Sequence, residues 1–187
     1  MRILFLLFFI VTFGFAVSIN DSLLKIHAIL LPKIYLMDNN YQEKITNNTI
    51  KITILYDAND YRNALTLEER IQKRYHNKIK GYMIKTVLLP YEQVASSNAN
   101  IYYLFPTNIK NIKQTVKRAK QIKALTFAYL NHDLKNGIVL SLEISQKVKP
   151  IINLSAAKAT DISFKSVLLK ISDIYVSEKI DIQGSKL

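Results

Sequence analysis

The apolar positions follow two alternating periods, and their alternation sets out the order of elements. Residues 21–37 (DSLLKIHAILLPKIYLM) carry Leu23, Leu24, Ile26, Ile29, Leu30, Ile34 and Met37 at helical spacing, which predicts one amphipathic helix. Pro32 falls inside it. Proline lacks a donor and crowds the preceding turn, so a kink or a split near Leu31 is expected. Residues 38–48 are polar and read as a loop. Ile50 to Tyr56 is rich in β-branched residues and alternates, the signature of a strand. Asp57, Asn59 and Asp60 then offer N-caps to a helix with Tyr61, Ala64, Leu65, Ile71 and Tyr75 on its apolar spacing and Glu68 as the polar break.

Gly81 precedes a second strand, Met83 to Leu89, which Pro90 stops. A third, Ile101 to Phe105, is stopped by Pro106. Thr107 and Asn108 can cap the next helix, whose stripe is Ile109, Ile112, Val116, Ala119 and Ile122. Ala124 to Leu130 reads as a fourth strand, and residues 131–137 are turn-forming throughout. Ile138 to Ile144 and Val148 to Asn153 read as paired strands. Phe164, Val167, Leu168, Ile171 and Ile174 make the core face of a closing helix with Ser163 as its cap. The tail from Ser177 reads as frayed, with Ile180 and Ile182 able to add a short extended segment.

Strand–helix–strand occurs twice, over 50–89 and 101–130. Crossovers of this kind join parallel neighbours right-handedly, and the later hairpin adds antiparallel strands. The expected fold class is therefore α/β: a single domain with a mixed, mostly parallel sheet of about five or six strands. Helices lie on both faces, and a C-terminal β-hairpin plus helix closes the chain.

The N-terminus changes where this domain is expected to work. Met1 and Arg2 are followed by an almost wholly apolar run from Ile3 to Val17, with small residues at Ala16 and Ser18. This is the layout of a secretory signal peptide over residues 1–18, leaving 19–187 as one domain by length. An uncleaved N-terminal anchor is the other reading. Both put the domain in an exported compartment, and a periplasmic location is expected. The chain has no cysteine, so no disulfide or thiolate chemistry is available to it.

The formal net charge is +12, and removing Arg2 with the leader lowers it by one. Such a charge suggests an anionic partner. Export argues against nucleic acid, and the aromatics are not interleaved with Lys and Arg as stacking platforms would be. An acidic patch on a membrane receptor or an anionic phospholipid surface fits better. Plain solvation by exposed lysine explains the same charge without a partner.

Chemistry is sparse. His27, His76 and His132 do not fall at the short spacing of a zinc site, so no metal and no cofactor are expected. His27 sits in an apolar helix and reads as packed. His132-Asp133 lies in a turn and reads as a surface pair without a nucleophile beside it. Glycine-rich phosphate loops and nucleophile elbows are absent from the sequence. No enzymatic activity is expected. Asp57, Asn59 and Asp60 follow the first strand at its C-terminal end, where open α/β sheets place ligands. They are candidate contacts for a small-molecule ligand, although helix capping alone explains them and is the favoured reading. The strongest interaction candidate is the 109–123 helix, on which Lys110, Lys113, Lys117 and Lys120 share one broad face opposite the isoleucines.

The last third of the chain carries a resemblance. It has a glycine-led strand after Asn136-Gly137, a second strand ending in Ile152-Asn153-Leu154, an alanine-bearing helical turn, and a closing helix with Ser166-Val167-Leu168-Leu169. This order resembles the C-terminal signature of YfiR-like periplasmic proteins. The resemblance covers most of the chain in element order and residues 136–171 in residue type. It implies an exported α/β regulator, often dimeric, that binds the periplasmic sensor domain of an inner-membrane signalling protein. The best-known members restrain a diguanylate cyclase, and others work with sensor kinases. The implied output is cyclic-di-GMP level and biofilm behaviour. Family members often carry redox-active cysteines, one of them just before the strand that begins here at Asn100-Ile101. This chain has none, so thiol-based sensing does not transfer.

Overall fold

The computed structural model describes residues 19–176. The expected signal peptide at 1–18 and the tail from 177 lie outside the described residues, as does any test of where the domain begins.

The elements run α1 (Asp21–Tyr35), β1 (Thr49–Tyr56), α2 (Tyr61–Tyr75), β2 (Lys78–Ile79), β3 (Tyr82–Pro90), β4 (Ile101–Leu104), α3 (Ile109–Ile122), β5 (Leu125–Ala128), β6 (Leu140–Ile144), β7 (Val148–Asn153), α4 (Leu154–Ala159), α5 (Ser166–Ile171) and β8 (Asp173–Tyr175). The strands form one sheet in the order β2-β3-β1-β4-β5-β6-β7-β8. The middle five, β3, β1, β4, β5 and β6, are parallel. β2 pairs antiparallel with β3 and β7 antiparallel with β6, while β8 runs parallel to β7. The class is α/β with a mostly parallel mixed sheet, as the pattern predicts.

The sheet has eight strands where five or six were expected. The two additions are the short edge strands β2 and β8, too brief for any two-residue period to register. β2 is set up by backbone that sequence patterning does not see: His76, Asn77 and Lys80 adopt positive φ, and Gly81 follows at 89°. β8 takes residues read as the end of the closing helix. Ser172 donates from its hydroxyl to the Leu168 carbonyl at 2.7 Å, and the helix stops at Ile171.

That closing helix also buries less than expected. Phe164 and Leu168 are core, but Val167, Ile171 and Ile174 are 57%, 61% and 41% exposed. Ser163 is not its cap; Lys165 holds that position with no side-chain cap bond. Nor does Pro32 split α1, which continues through it to Tyr35. α1 buries Leu24, His27, Ala28, Leu31, Pro32, Ile34 and Tyr35, so of the apolar positions expected in it Leu24 and Ile34 are buried while Leu23, Ile26, Ile29 and Leu30 are only partly so.

Each strand sends alternate residues to opposite faces. Ile50, Ile52 and Ile54 of β1, Ile101 and Tyr103 of β4 and Phe127 of β5 join the core under α1, α2, α4 and α5. Leu55, Tyr102, Leu104 and Ala128 join the core under α3. Buried Asp38 fastens the end of α1 to the C-terminal segment. It pairs with Lys44 at 2.6 Å and accepts from the Ser163 backbone N–H at 3.0 Å. Gly137 meets the expectation for a tight turn: its φ is 92°, and an added Cβ would lie 3.3 Å from Val116.

Candidate functional site

α3 begins where Asn108 caps it, accepting from the Asn111 N–H at 3.0 Å. Ile112, Thr115, Val116 and Ala119 face the sheet, while Ile109 is largely exposed. Lys110, Lys113, Lys117 and Lys120 are all exposed on the opposite side. Among the described residues none of the four lies within ion-pair distance of a carboxylate. The neighbouring cations behave differently. Arg118 turns back to donate from Nε to the Ser97 carbonyl at 2.7 Å. Lys123 pairs with Asp161 at 2.7 Å; that contact raises the lysine's pKa and lowers the aspartate's. The helix thus presents a uniform, unpaired cationic face.

The second candidate cluster lies at the C-terminal end of β1, beside β4, where the connections leave in opposite directions and the sheet has its switch point. Capping does not account for it. Asp57 and Asp60 occupy cap positions but make no cap hydrogen bond with backbone. Asp57 instead accepts from the Thr107 hydroxyl at 2.7 Å and from the Asn111 amide at 3.5 Å, with Asn111 also donating to Thr107 at 2.8 Å. Asp60 accepts from the Asn63 amide at 2.9 Å, and Asn59 is exposed. The structure therefore brings Asp57 to the first turn of α3, linking the two sequence-predicted clusters. A carboxylate there complements the positive end of the helix. It also fills, with the chain's own group, the position an anionic ligand would take.

Two buried groups lie near this end of the sheet. The sequence reads His132-Asp133 as a surface pair, but only His132 is exposed: Asp133 is buried at 4% exposure, and its carboxylate faces the His132 ring at 3.3 Å. Burial raises its pKa, with His132 and Lys135 opposing. Tyr91 is fully buried and donates to the Phe105 carbonyl at 2.6 Å. Its pKa is pushed well up, first by burial and then by Asp57 and Asp133. The sequence does not show the burial of either residue; the tertiary fold brings both near β1.

His27 is packed, as expected. It is 0% exposed, and Nδ1 lies 2.7 Å from the Tyr103 hydroxyl. The rings of Tyr103, Phe127 and Tyr129 meet it edge-on, and Nε2 has no partner. Burial lowers its pKa to about 3. Among the described residues there is no group of three His, Asp or Glu side chains that could hold a metal ion. No helix among them is long and apolar enough to cross a membrane.

Comparison with known proteins bears on the whole arrangement. A family model described as YfiR/HmsC-like matches residues 40–173. No curated protein matches the chain. Among solved structures, a conserved domain protein from Vibrio cholerae O1 biovar El Tor is similar, with a TM-score of 0.56 at 15% identity, over 81% of this chain and 59% of that one. An ABC domain in complex with L-Trp from Streptococcus pneumonia gives 0.53 at 14% identity, over 82% and 60%. A ligand-free, open substrate binding protein with adhesive properties from Clostridium difficile gives 0.54 at 12% identity, over 79% and 57%. At these identities the likeness is one of fold. The chain spans less than two thirds of each of these structures.

Proposed function

The chain belongs to the YfiR/HmsC-like family, and from that membership we propose that it is an exported regulatory binding protein of the periplasm. In this reading it docks on the periplasmic sensor domain of an inner-membrane signalling protein, a diguanylate cyclase or a sensor kinase, and controls its output. The observation that carries the reading is the extent of the family match, which runs from before β1 to the start of β8. The signal-peptide pattern at residues 1–18 supports export.

The α3 lysine face is the docking surface we assign. Four exposed cations without counter-charges suit an acidic patch on a receptor domain, and their attraction would steer the encounter within about 8 Å at physiological salt. An anionic membrane surface alongside that receptor would reinforce the same attraction. The function is binding, not catalysis, and nucleic acid is not the partner. A homodimer is the expected assembly.

Deleting the gene should change cellular cyclic-di-GMP or the phosphorylation of a partner kinase, and in vivo crosslinking should recover an inner-membrane protein. If none of these occurs, the regulatory reading fails. A second reading, a periplasmic small-molecule binding domain, draws on Asp57, Asn59 and Asp60 at the switch point. Because the Asp57 carboxylate is already engaged by Thr107 and Asn111, it ranks below the first. A thermal-shift screen of periplasmic solutes that is unaffected by Asp57→Asn would remove it.

A further inference from the structure

On the face of the sheet away from α1 and α2, β1 presents Lys51, Thr53 and Leu55. β3 runs parallel beside it with Lys85, Val87 and Leu89 in register with those three. α3 packs over β4 and β5. Residues 91–96 cover the Leu55–Leu89 end of the β1–β3 side, and the Lys51–Lys85 end stays open, with Lys85 exposed and Lys51, Val87 and Leu89 half-buried. Two hollows lie there. One, about 550 Å³, is lined by residues that include Lys51, Lys85, Asn98 and Asn100. The other, about 330 Å³, is lined by residues that include Lys51, Thr53, Val87, Gln93 and Asn98. Lys51 and Asn98 belong to both, so the two adjoin.

Two observations show this region to be unsatisfied by the chain alone. Thr53 is 1% exposed, and its hydroxyl has no hydrogen-bond partner although it lines the second hollow. A buried polar group left so costs about 1–3 kcal/mol. Lys51 and Lys85 are also direct cross-strand partners on one face, with strands about 4.8 Å apart. Like charges so placed repel. Among the described residues neither has a carboxylate within ion-pair distance. The third lysine of the wall, Lys44, is different: it is held by Asp38 at 2.6 Å. The open cations are therefore confined to the Lys51–Lys85 row, with an unanswered hydroxyl one step along the strand.

We propose that the adjoining hollows bind a small hydroxylated organic anion, in class a sugar acid or a sugar phosphate. Its acid group lies between Lys51 and Lys85. Its hydroxyls answer Thr53 and the side-chain amides of Gln93 and Asn98, and Val87 contacts its carbon skeleton. The volumes suit a ligand of that size, since small-molecule sites commonly enclose about 300–1,000 Å³. This site shares no residue with the Asp57–Asp60 cluster or the α3 lysine face, so it stands or falls independently of the partner proposed above.

The test is calorimetric titration of the exported, purified protein with D-gluconate, glucose phosphate, D-glucose and inorganic phosphate. At least one hydroxylated anion should bind with a Kd below ~1 mM, and neutral glucose should not. Lys51→Gln with Lys85→Gln should weaken that binding by about tenfold or more, and the exposed Lys85→Gln alone by several-fold. Thr53→Val keeps the side-chain shape and removes the unanswered hydroxyl. It should weaken binding several-fold while the melting temperature holds or rises. Lys147→Gln, an exposed charge between β6 and β7, should leave binding unchanged. Failure of both anions to bind with a Kd below ~1 mM would overturn the proposal. So would equal binding by glucose, or unchanged affinity in the Lys51/Lys85 double variant. Glucose phosphate held no tighter than inorganic phosphate, with Thr53→Val without effect, would also overturn it.

Discussion

The two faces of the sheet are finished in different ways. On the first, α1, α2, α4 and α5 contribute to one continuous apolar core. Its centre is aromatic: Tyr103 stacks on Phe127 at 5.5 Å and Phe105 on Tyr129 at 6.2 Å, with His27 edge-on among three of these rings. On the second face α3 covers a smaller core, and the β1–β3 side keeps lysine, threonine and two half-buried aliphatics. The same strands supply both faces. Stability is therefore concentrated on the side with complete cover, and the other side keeps surface for recognition.

The sharpest way to break that contrast is to truncate both faces. Phe127→Ala removes a 0% exposed ring from the aromatic centre and should cost about 3–5 kcal/mol in urea unfolding. Val87→Ala on the open face should cost less, about 1 kcal/mol, since the smaller side chain is only partly buried. Equal losses would mean that the second face is as closed as the first.

Acid should act on the first face too, through His27. Its folded pKa, about 3, lies well below the ordinary histidine value of 6.5 because burial disfavours the charged ring. Below pH 6.5 the unfolded chain therefore binds a proton that the folded chain refuses. The contribution of His27 to stability is constant above pH 6.5 and declines as pH falls from there towards 3. At pH 5 the loss amounts to about 2 kcal/mol. His27→Leu should flatten that part of the profile, and the difference between variant and parent isolates His27 from the carboxylates. Identical slopes from pH 6.5 to 4 would show that α1 does not hold the ring in a dry setting.

Much of this contrast can be read in the sequence, but unevenly. Six strands are legible as apolar runs bounded by turn-forming residues, three of them, such as Ile50 to Tyr56, ending at Pro or Asp. α3 is legible because Ile112, Val116 and Ala119 recur at three and four residues. The burial of His27 follows from its apolar helix, yet its position on the most buried stripe does not. The 3.6-residue period fits both the Leu23–Ile26–Leu30 side and the Leu24–His27–Leu31–Ile34 side, and the sheet decides between them. The short edge strands are invisible because two or three residues carry no period. Val167, Ile171 and Ile174 fit a core pattern but end up exposed at the sheet's far edge.

The sites divide in the same way. A run of lysines on one helix face is a local property, so the α3 surface is legible. The engagement of Asp57 by Thr107, 50 residues away in sequence, is not. The Lys51–Lys85 row needs the β1–β3 register, which a sequence of strands does not supply.

The smallest expected effect is the most discriminating for α3. Converting Lys110, Lys113, Lys117 and Lys120 together to Gln removes four exposed charges. Lys113 and Lys117 are four apart, and such like pairs weaken a helix by a few tenths of a kcal/mol. Stability should therefore rise by about 0.5 kcal/mol or less at low salt, and the gain should vanish when salt screens the repulsion. Urea midpoints at two ionic strengths give both values. The same variant should lose crosslinking to the membrane partner, which separates a recognition surface from an idle one. A destabilisation beyond about 1 kcal/mol would mean that the lysine stems shield apolar surface. The face would then belong to the fold, and the contrast between a stabilising side and a recognising side would have to be redrawn around the Lys51–Lys85 hollow alone.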